Sequence, residues 1–305
     1  MYKNNYIRKS TFALALCALG FASTARAEEP DSLSADAASQ VVAAFEKNNI
    51  FNIIDDFSKK SKGLVVSDDI CANLSNDVFA SMVGEDFEID EEKGMEIPEF
   101  WDQEFGKSSD WEYQIMYGDE QAILRNTAKT FTQGREFTAE KSQVFENARM
   151  DLATLGVEYD ERNFQIEIEY LMSMTLNDKD KTSTVERIAY RVFVYRKVGG
   201  LIVRGARILL GYYMDGTLQK VSMRWPRIVK QQLEFESLSE MDKQKLIEKA
   251  ASILPTMPSM TDNLKGVIAE VGLEIRDGVL KRVVVFRPAE TPDSVGPLEE
   301  VVIDL

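Results

Sequence analysis

The feature that most constrains the fold is a period-two alternation of apolar and polar residues that begins at residue 163. It runs through NFQIEIEYLMSMTL, VERIAYRVFVYR, LIVRGARILLGYYM and TLQKVSMRW. Successive side chains of a strand point to opposite faces of a sheet, so each segment predicts a β-strand. Gly199-Gly200 and Asp215-Gly216 separate the later segments as hairpin turns do. The pattern predicts a four-stranded antiparallel meander.

Helical spacing precedes this meander and recurs after it. Residues 138–156 carry a stripe of Val144, Phe145, Ala148, Leu152 and Leu155. Residues 237–254 begin with a capping box, Ser237 to Glu240, and are followed by strands on either side of Asp277-Gly278. An earlier segment, 111–126, predicts a hairpin that bends at Gly118-Asp119. We therefore expect two units of a helix on an antiparallel sheet, residues 111–231 and 232–305.

The region before these units, residues 28–110, predicts helices and one acidic segment. Apolar residues at helical spacing indicate helices within 35–61 and around Cys71, the second helix ending at Gly84. Residues 84–110 are acidic with interleaved aromatic residues and no clear period. They predict a loop anchored by its aromatic side chains, or a segment that docks on the rest of the chain. The predicted fold class is α+β, with an N-terminal helical segment followed by the two units.

Residues 1–27 have the pattern of a cleavable secretory signal. Basic residues precede the apolar TFALALCALGF, and Ala25-Arg26-Ala27 forms an A-x-A cleavage site. A lipoprotein cysteine at Cys17 is disfavoured because Leu16 precedes it. Loss of the four basic residues of the signal would change the net charge from −15 to −19. We expect a periplasmic or extracellular protein that does not span a membrane or bind nucleic acid.

Histidine is absent, and its absence excludes whole classes of catalytic site. Ser-His-Asp and Cys-His catalysis need imidazole as a base, and H-E-x-x-H zinc sites need it as a ligand. The sequence has neither S-x-x-K nor G-x-S-x-G. The acidic segments 86–92 and 177–183 lack the pattern of an EF-hand loop. We expect no enzyme activity, metal or cofactor, and a hydrolase based on paired carboxylates stays an alternative.

Residues 190–226, YRVFVYRKVGGLIVRGARILLGYYMDGTLQKVSMRWP, resemble a known module. Their Tyr/Arg-rich strand, glycine-rich turn and Asp-Gly turn are similar to those of FTP and PepSY modules, and 238–254 with its strands resembles a PepSY unit. The resemblance covers roughly 137–305. Such modules occur in propeptides of thermolysin-like secreted metalloproteases and in other exported proteins. It implies a cystatin-like α+β fold that inhibits, chaperones or binds a protein. Because no protease domain follows and histidine is absent, we expect a stand-alone binding or inhibitory role.

The predicted meander carries an unusual concentration of positive charge. Ten basic and two acidic residues lie within 185–231, a net charge of +8 in an acidic chain. Gly200 and Gly205 match the glycine frame of a phosphate loop, but Ala206-Arg207 follow where such a loop needs Lys and Ser or Thr. The segment therefore predicts a hairpin with a bulge at Gly205.

Alternation places part of this charge on one predicted basic sheet face. The candidate binding residues are Arg187, Arg191, Phe193, Tyr195, Arg204, Arg207, Lys220 and Arg224. The face could pair with the protein's own acidic segment 84–110. It could also bind an exported protein or acidic peptide, or an envelope polyanion or lipid. A protein-binding role, inhibitory or chaperone-like, is the leading interpretation.

Overall fold

The computed structural model describes residues 31–66, 75–90, 103–117, 120–128, 138–177, 182–253, 267–288 and 301–305. They form a mixed α+β fold, as predicted, and β-sheet is its larger part. The helices are α1 (Asp31–Lys47), α2 (Ile50–Ser61), α3 (Asn76–Val83), α4 (Lys141–Thr154) and α5 (Glu240–Ile253). None of these described helices is long and apolar enough to cross a membrane. The predicted signal 1–27 and Cys71 lie outside the described residues.

Thirteen short and long strands are described. Those before the meander are β1 (Val65–Val66), β2 (Glu88–Ile89), β3 (Gln103–Lys107), β4 (Trp111–Met116) and β5 (Gln121–Asn126). The meander is β6 (Phe164–Asn177), β7 (Thr182–Val198), β8 (Leu201–Tyr213) and β9 (Leu218–Arg224). The rest are β10 (Gln231–Gln232), β11 (Val267–Arg276), β12 (Val279–Pro288) and β13 (Val301–Asp304). The acidic segment 84–110 was predicted as a loop, which is wrong for β2 and β3.

Eleven of these strands form one sheet, and β1 and β10 pair separately. The meander β6–β9 is antiparallel as predicted, and so are the hairpins β4–β5 and β11–β12. Beyond β9 the sheet continues through β5, β4, β3 and β2. Near its start β8 also pairs in parallel with β11, at Val203 and Arg204, so β11–β13 join the same sheet. Because the strands of both predicted units belong to one sheet, the layout of two cystatin-like units is not confirmed and stays a prediction.

One face of the sheet from β4 to β9 is covered by α3 and α4. The predicted stripe of α4 is confirmed, since Val144, Ala148, Leu152 and Leu155 are buried. They pack with Phe79 of α3 and with inward residues of the strands, such as Ile115, Leu124, Val192, Ile208 and Val221. Because strand residues alternate, the burial of this face leaves the other half of each strand's side chains on the opposite face.

A second core joins α1 and α2 to α5 and the strands β11–β13. Phe45 of α1 stacks on Phe286 of β12, with ring centres 5.4 Å apart, and meets Phe51 of α2 edge to face. Phe45, Phe286, Ile50 and Ile54 are fully buried. The helices of 28–110 thus divide between two cores, α1 and α2 in this one and α3 in the first.

A third group of buried residues lies where β8 meets β11. It contains Phe57 of α2, Val203 and Ala206 of β8, and Leu273 of β11. The predicted bulge at Gly205 is confirmed: φ is +76° there, and the β7–β8 register shifts between Tyr195 and Lys197. Glycine adopts this conformation without the Cβ penalty of other residues. The bulge lets the first part of β8 turn toward β11.

The start of α5 differs by two residues from the predicted capping box. The backbone N–H of Asp242 donates to Ser239 Oγ at 3.2 Å, and the Ser239 hydroxyl donates to the Asp242 carboxylate at 2.6 Å. The cap is therefore Ser239, and the prediction of Ser237 is wrong. Both serines have an acidic residue three positions later, and the helix begins at Glu240, so only Ser239 is adjacent to its first N–H groups.

Gly106 gives a test of packing in β3. It lies directly opposite Tyr113 of β4, and a Cβ added to it would stand 2.1 Å from the Tyr113 ring. We expect Gly106→Ala to lower the free energy of unfolding by about 1–3 kcal/mol, because the ring has to move. Urea unfolding measures this. In a Tyr113→Ala background the same change should cost less than about 0.5 kcal/mol; an equal cost in both backgrounds would show that the ring is not the obstacle.

A partly buried hydrogen bond between α4 and β8 gives a pH-dependent test. The Tyr212 hydroxyl donates to the Asp151 carboxylate at 2.6 Å. Burial raises the pKa of Asp151 from its usual 3.8, and the hydrogen bond opposes this. The contribution of Asp151 to stability is therefore complete below pH 3.8 and is lost as the pH rises through the raised pKa. The free energy of unfolding of Asp151→Asn, measured relative to that of wild type, should therefore increase as the pH rises from 3.5 to 7.

The matched variant for this pair is Tyr212→Phe. It leaves the partly buried carboxylate without its donor, so we expect a loss of about 1–3 kcal/mol at pH 7 and a smaller loss at pH 3.5. Urea unfolding at both pH values measures the two variants. A pH-independent difference from wild type in both variants would contradict the raised pKa.

Candidate binding surface

The open face of the sheet is the face of β3–β9 opposite α3 and α4. Residues that stand directly opposite each other on paired strands point to the same face of a sheet. One row of such residues crosses the open face. The row runs through Glu167, Phe193, Leu209, Ser222, Ile123, Gln114 and Phe105. From Phe193 to Phe105 these side chains are half-buried, so each keeps contact with solvent. A mainly apolar stripe, interrupted by Ser222 and Gln114, therefore crosses the face and stays accessible.

Basic residues border this stripe on both sides. One neighbouring row contains Tyr195, Arg207, Arg224 and Gln121, and the other contains Glu169, Arg191, Gly211, Lys220 and Arg125. Arg191, Arg207, Arg224 and Arg125 are exposed, and Lys220 is half-buried. The predicted alternation of β7 and β9 is confirmed here, since Val192, Val194, Val221 and Met223 are buried on the opposite face.

Two arginines at the centre of the open face stand directly opposite each other on neighbouring strands. Arg207 of β8 stands opposite Arg224 of β9. Like charges at directly opposite positions destabilise a sheet. Within the described part of the chain, Arg207, Lys220 and Arg224 form no ion pair with an acidic side chain. Arg125, by contrast, pairs with Glu112. The centre of the face therefore holds three cations that form no ion pair with the described acidic side chains, and Glu167 and Glu169 of β6 are acidic residues on the same face.

Arg187 does not belong to this face, which corrects the prediction from alternation. The register of β6 and β7 shifts so that Ala189 pairs with Leu171 but Arg187 pairs with Met172. The extra residue, Ile188, turns Arg187 to the face on which Tyr170 lies. The Arg187 guanidinium lies 4.1 Å from the centre of the Tyr170 ring. Arg187 therefore makes a cation–π contact on the helix side of the sheet and does not lie beside Arg191 as expected.

Arg204 lies at the border of the open face, where β8 pairs with β11. It stands directly opposite Glu274 in the parallel pairing and packs beside Gly272. It has an interaction partner in the structure, so it is not one of the three cations at the centre of the face. Two other basic residues of the segment are also engaged: Arg196 is buried beside Trp225, and Lys197 Nζ donates to the Glu161 carbonyl at 2.6 Å.

Phe193 and Tyr195 form a flat aromatic patch beside Arg207. Their rings are nearly parallel, with centres 6.2 Å apart. Burial and the nearby Glu167 raise the pKa of Tyr195, and Arg207 opposes this. The hydroxyl therefore stays protonated at neutral pH and can donate a hydrogen bond. An aromatic patch beside an exposed arginine is a common composition for a protein-binding surface.

The described parts of the acidic segment 84–110 do not cover the open face. Residues 84–90 and 103–110 include β2 and β3 at the far edge of the sheet, with β4, β5 and β9 between them and β8. Glu85 accepts hydrogen bonds from Ser108 and Ser109, which lowers the pKa of its carboxyl. Residues 91–102 lie outside the described residues. Self-pairing of the basic face with β2 or β3 is therefore not observed.

Part of the open face was not predicted from the sequence. Arg125, Ile123, Gln114 and Phe105 come from β3, β4 and β5, and only the pairing of β5 with β9 brings them beside Lys220 and Ser222. Their own hairpin alternation was visible, but alternation does not tell which strand is the neighbour. Within the described ranges, no group of Cys, Asp and Glu residues is arranged to hold a metal ion.

Comparison with known protein families, with curated proteins and with solved structures gives no significant match. The resemblance to PepSY and FTP modules therefore stays a prediction.

Proposed function

We propose that this protein is exported and, without catalysing a reaction, binds an acidic segment of a partner protein on the open face. The observation that carries this proposal is the opposed pair Arg207 and Arg224, which forms no ion pair with the described acidic side chains. A like-charge pair costs folding stability, so it is retained most simply if an anionic partner neutralises it. A PepSY-like arrangement, with α4 on β6–β9 and α5 on β11–β13, belongs to the same proposal.

The mainly apolar stripe of the open face favours a peptide over a simple polyanion. Phe193, Leu209 and Ile123 keep solvent contact between the two basic rows. Covering them stabilises a complex by about 25 cal/mol for each Å² removed from water. Strands about 4.8 Å apart place β7 and β5 about 14 Å from each other, which an extended peptide of about five residues spans. The fitting partner has acidic residues interleaved with apolar or aromatic ones.

A direct binding measurement tests this function. A labelled peptide that alternates glutamate with phenylalanine or leucine should bind saturably by fluorescence anisotropy. The same peptide with glutamine in place of glutamate should bind much more weakly. Affinity should fall as NaCl rises, because exposed charges are screened, but part should persist through the apolar contacts. Equal binding of heparin or anionic vesicles would favour a polyanion or lipid binder, and indifference to glutamine substitution would reject the proposal.

Export is tested separately. Expressed with residues 1–27 in a bacterium, the protein should accumulate outside the cytoplasm with Glu28 as its first residue, because cleavage follows an A-x-A site. Mass spectrometry of the intact protein measures this. Recovery of an uncleaved cytoplasmic protein would contradict the proposed location, and a lipid on Cys17 would show the lipoprotein alternative.

A further inference from the structure

A cavity of 550 Å³ lies between the start of α5 and the strands β12 and β13. Its lining residues are all different from those of the row Phe193 to Phe105 of the open face, and α5 and β12 belong to the second core. Its wall is formed by residues 234–238, by one face of α5, by Arg282 and by residues 303–305. Its volume is within the range of small-molecule sites.

Arg282 is the unusual residue of this wall. The residue is 5% exposed, and its Nη1 donates to Ser58 Oγ at 2.6 Å. Its guanidinium lies 5.5 Å from the centre of the Phe235 ring. Its Nε has no hydrogen-bond partner among the described residues. Burial lowers the pKa of Arg282, and the charge of Asp55 opposes this without forming an ion pair. A buried donor without an acceptor is rare in folded proteins, so Arg282 calls for an explanation.

The acidic residues on the cavity wall are already engaged or exposed. Asp304 accepts from Arg276 at 2.7 Å, and Asp242 accepts from Ser239 at 2.6 Å and lies 3.9 Å from Lys245 Nζ. Glu234 and Glu236 are exposed. In the described part of the chain, Lys249 has no ion pair with an acidic side chain. Arg282 and Lys249 are therefore the groups on this wall that can bind an anion.

Apart from the polar Ser237, the rest of the wall is apolar. It is provided by Phe235, Leu238, Leu246, Ile303 and Leu305. Leu246 and Ile303 are buried members of the second core. A ligand that fills the cavity therefore meets an apolar surface with a buried cation at one side and an exposed lysine at another.

We infer that this cavity binds a carboxylate carried on an apolar body, with Arg282 as the anchor of the carboxylate. A planar guanidinium can donate two parallel hydrogen bonds to a carboxylate, and such charge-assisted bonds are stronger than neutral ones. Two sources share this chemistry: a medium-chain fatty acid and the C-terminal carboxylate of an apolar peptide. The site is separate from the open face and does not depend on the proposed function.

Titration calorimetry with four probes tests the inference. The first pair is decanoate, which has the carboxylate, and decanol, which lacks it. The second pair is a leucine-rich tripeptide with a free C-terminal carboxylate and the same tripeptide as its C-terminal amide. One acid should bind saturably and raise the urea midpoint, since a ligand of the folded state stabilises it, whereas its neutral counterpart should not. Binding of decanoate alone identifies the fatty acid, and binding of the tripeptide alone identifies the peptide terminus. Binding of neither acid, or equal binding of an acid and its neutral counterpart, overturns the inference.

Variants locate the site. Arg282→Gln should weaken binding of the acid by about tenfold or more, because a charge-assisted pair is lost. Lys249 is exposed on α5, so Lys249→Glu should fold normally and weaken binding by about threefold, as expected for a partly screened charge. Lys230→Glu, an exposed change away from the cavity, is the control. If Arg282→Gln does not fold, the Lys249 variant decides: affinity equal to that of the Lys230 variant overturns the site.

Discussion

The double variant Arg207→Glu/Arg224→Glu should lose at least about 100-fold in affinity for the acidic peptide, a change of about 2.7 kcal/mol. Both arginines are exposed at the centre of the open face and stand directly opposite each other. Reversal removes two attractive contacts and adds repulsion of the ligand, and a like charge against a ligand costs more than a lost contact. Fluorescence anisotropy at fixed ionic strength measures the loss.

The single variant Arg224→Glu separates binding from folding. It converts the opposed pair into one of opposite charge, so the free energy of unfolding should rise by about 0.2–1 kcal/mol. The same change should weaken peptide binding. A variant that is more stable and yet binds less well would show that the pair is retained for the partner. Lower stability together with unchanged affinity would show that the pair has another structural role.

Arg149→Glu is the matched control for these reversals. Arg149 lies on α4, on the helix side of the sheet, and pairs with Glu146 at 3.2 Å. The substitution changes the net charge by the same amount as Arg224→Glu. Peptide affinity should stay within about twofold of wild type, because charges farther apart than about 10 Å are largely screened at 0.1 M salt. An equal loss in both variants would mean that overall charge, and not the open face, determines binding.

Phe286→Ala should lower the free energy of unfolding by about 3–5 kcal/mol, the usual cost of removing a fully buried aromatic side chain. The residue is 0% exposed and its ring stacks on Phe45, so it joins α1 to β12. Phe286→Leu, which keeps most of the volume, should cost less than about 1.5 kcal/mol. Urea unfolding followed by circular dichroism measures both values. A loss below about 1 kcal/mol for the alanine variant would contradict the described packing of the second core.

The same variant tests whether the two cores unfold together. Trp111 and Trp225 belong to the first core, so in a Trp101→Phe background tryptophan fluorescence reports unfolding of the sheet under α3 and α4. Because β8 is bonded to both β9 and β11, we expect fluorescence and circular dichroism to shift together in Phe286→Ala. A shift of circular dichroism alone would show that residues 111–231 and 232–305 unfold independently, as the sequence-predicted domains would.

The sequence pattern predicted those strands that pair with their neighbours in the chain. Alternation with Gly-Gly and Asp-Gly turns was sufficient for β6–β9, because each strand pairs with its neighbour in sequence. The pairing of β5 with β9 and of β8 with β11 joins distant segments, and no spacing rule specifies it. For that reason Ile123 and Arg125 were not recognised as part of the same surface as Lys220.

The misplacement of Arg187 has a different cause. Strict alternation put Arg187 with Arg191, but one unpaired residue in the β6–β7 ladder reverses the face of everything beyond it. A β-branched residue such as Ile188 gives no signal of a bulge, whereas a glycine inside a strand does. The bulge at Gly205 was therefore predictable and the bulge at Ile188 was not.

The most direct test of the central claim is to map where the acidic peptide binds. A peptide that carries a photoreactive benzophenone next to its glutamates should cross-link to the open face, and mass spectrometry should place the adducts on β7, β8 and β9, near Phe193, Leu209 and Ser222. Adducts concentrated on the helix side, near Arg149 or Arg187, or at the cavity of Arg282, would contradict the assignment of the open face as the binding surface.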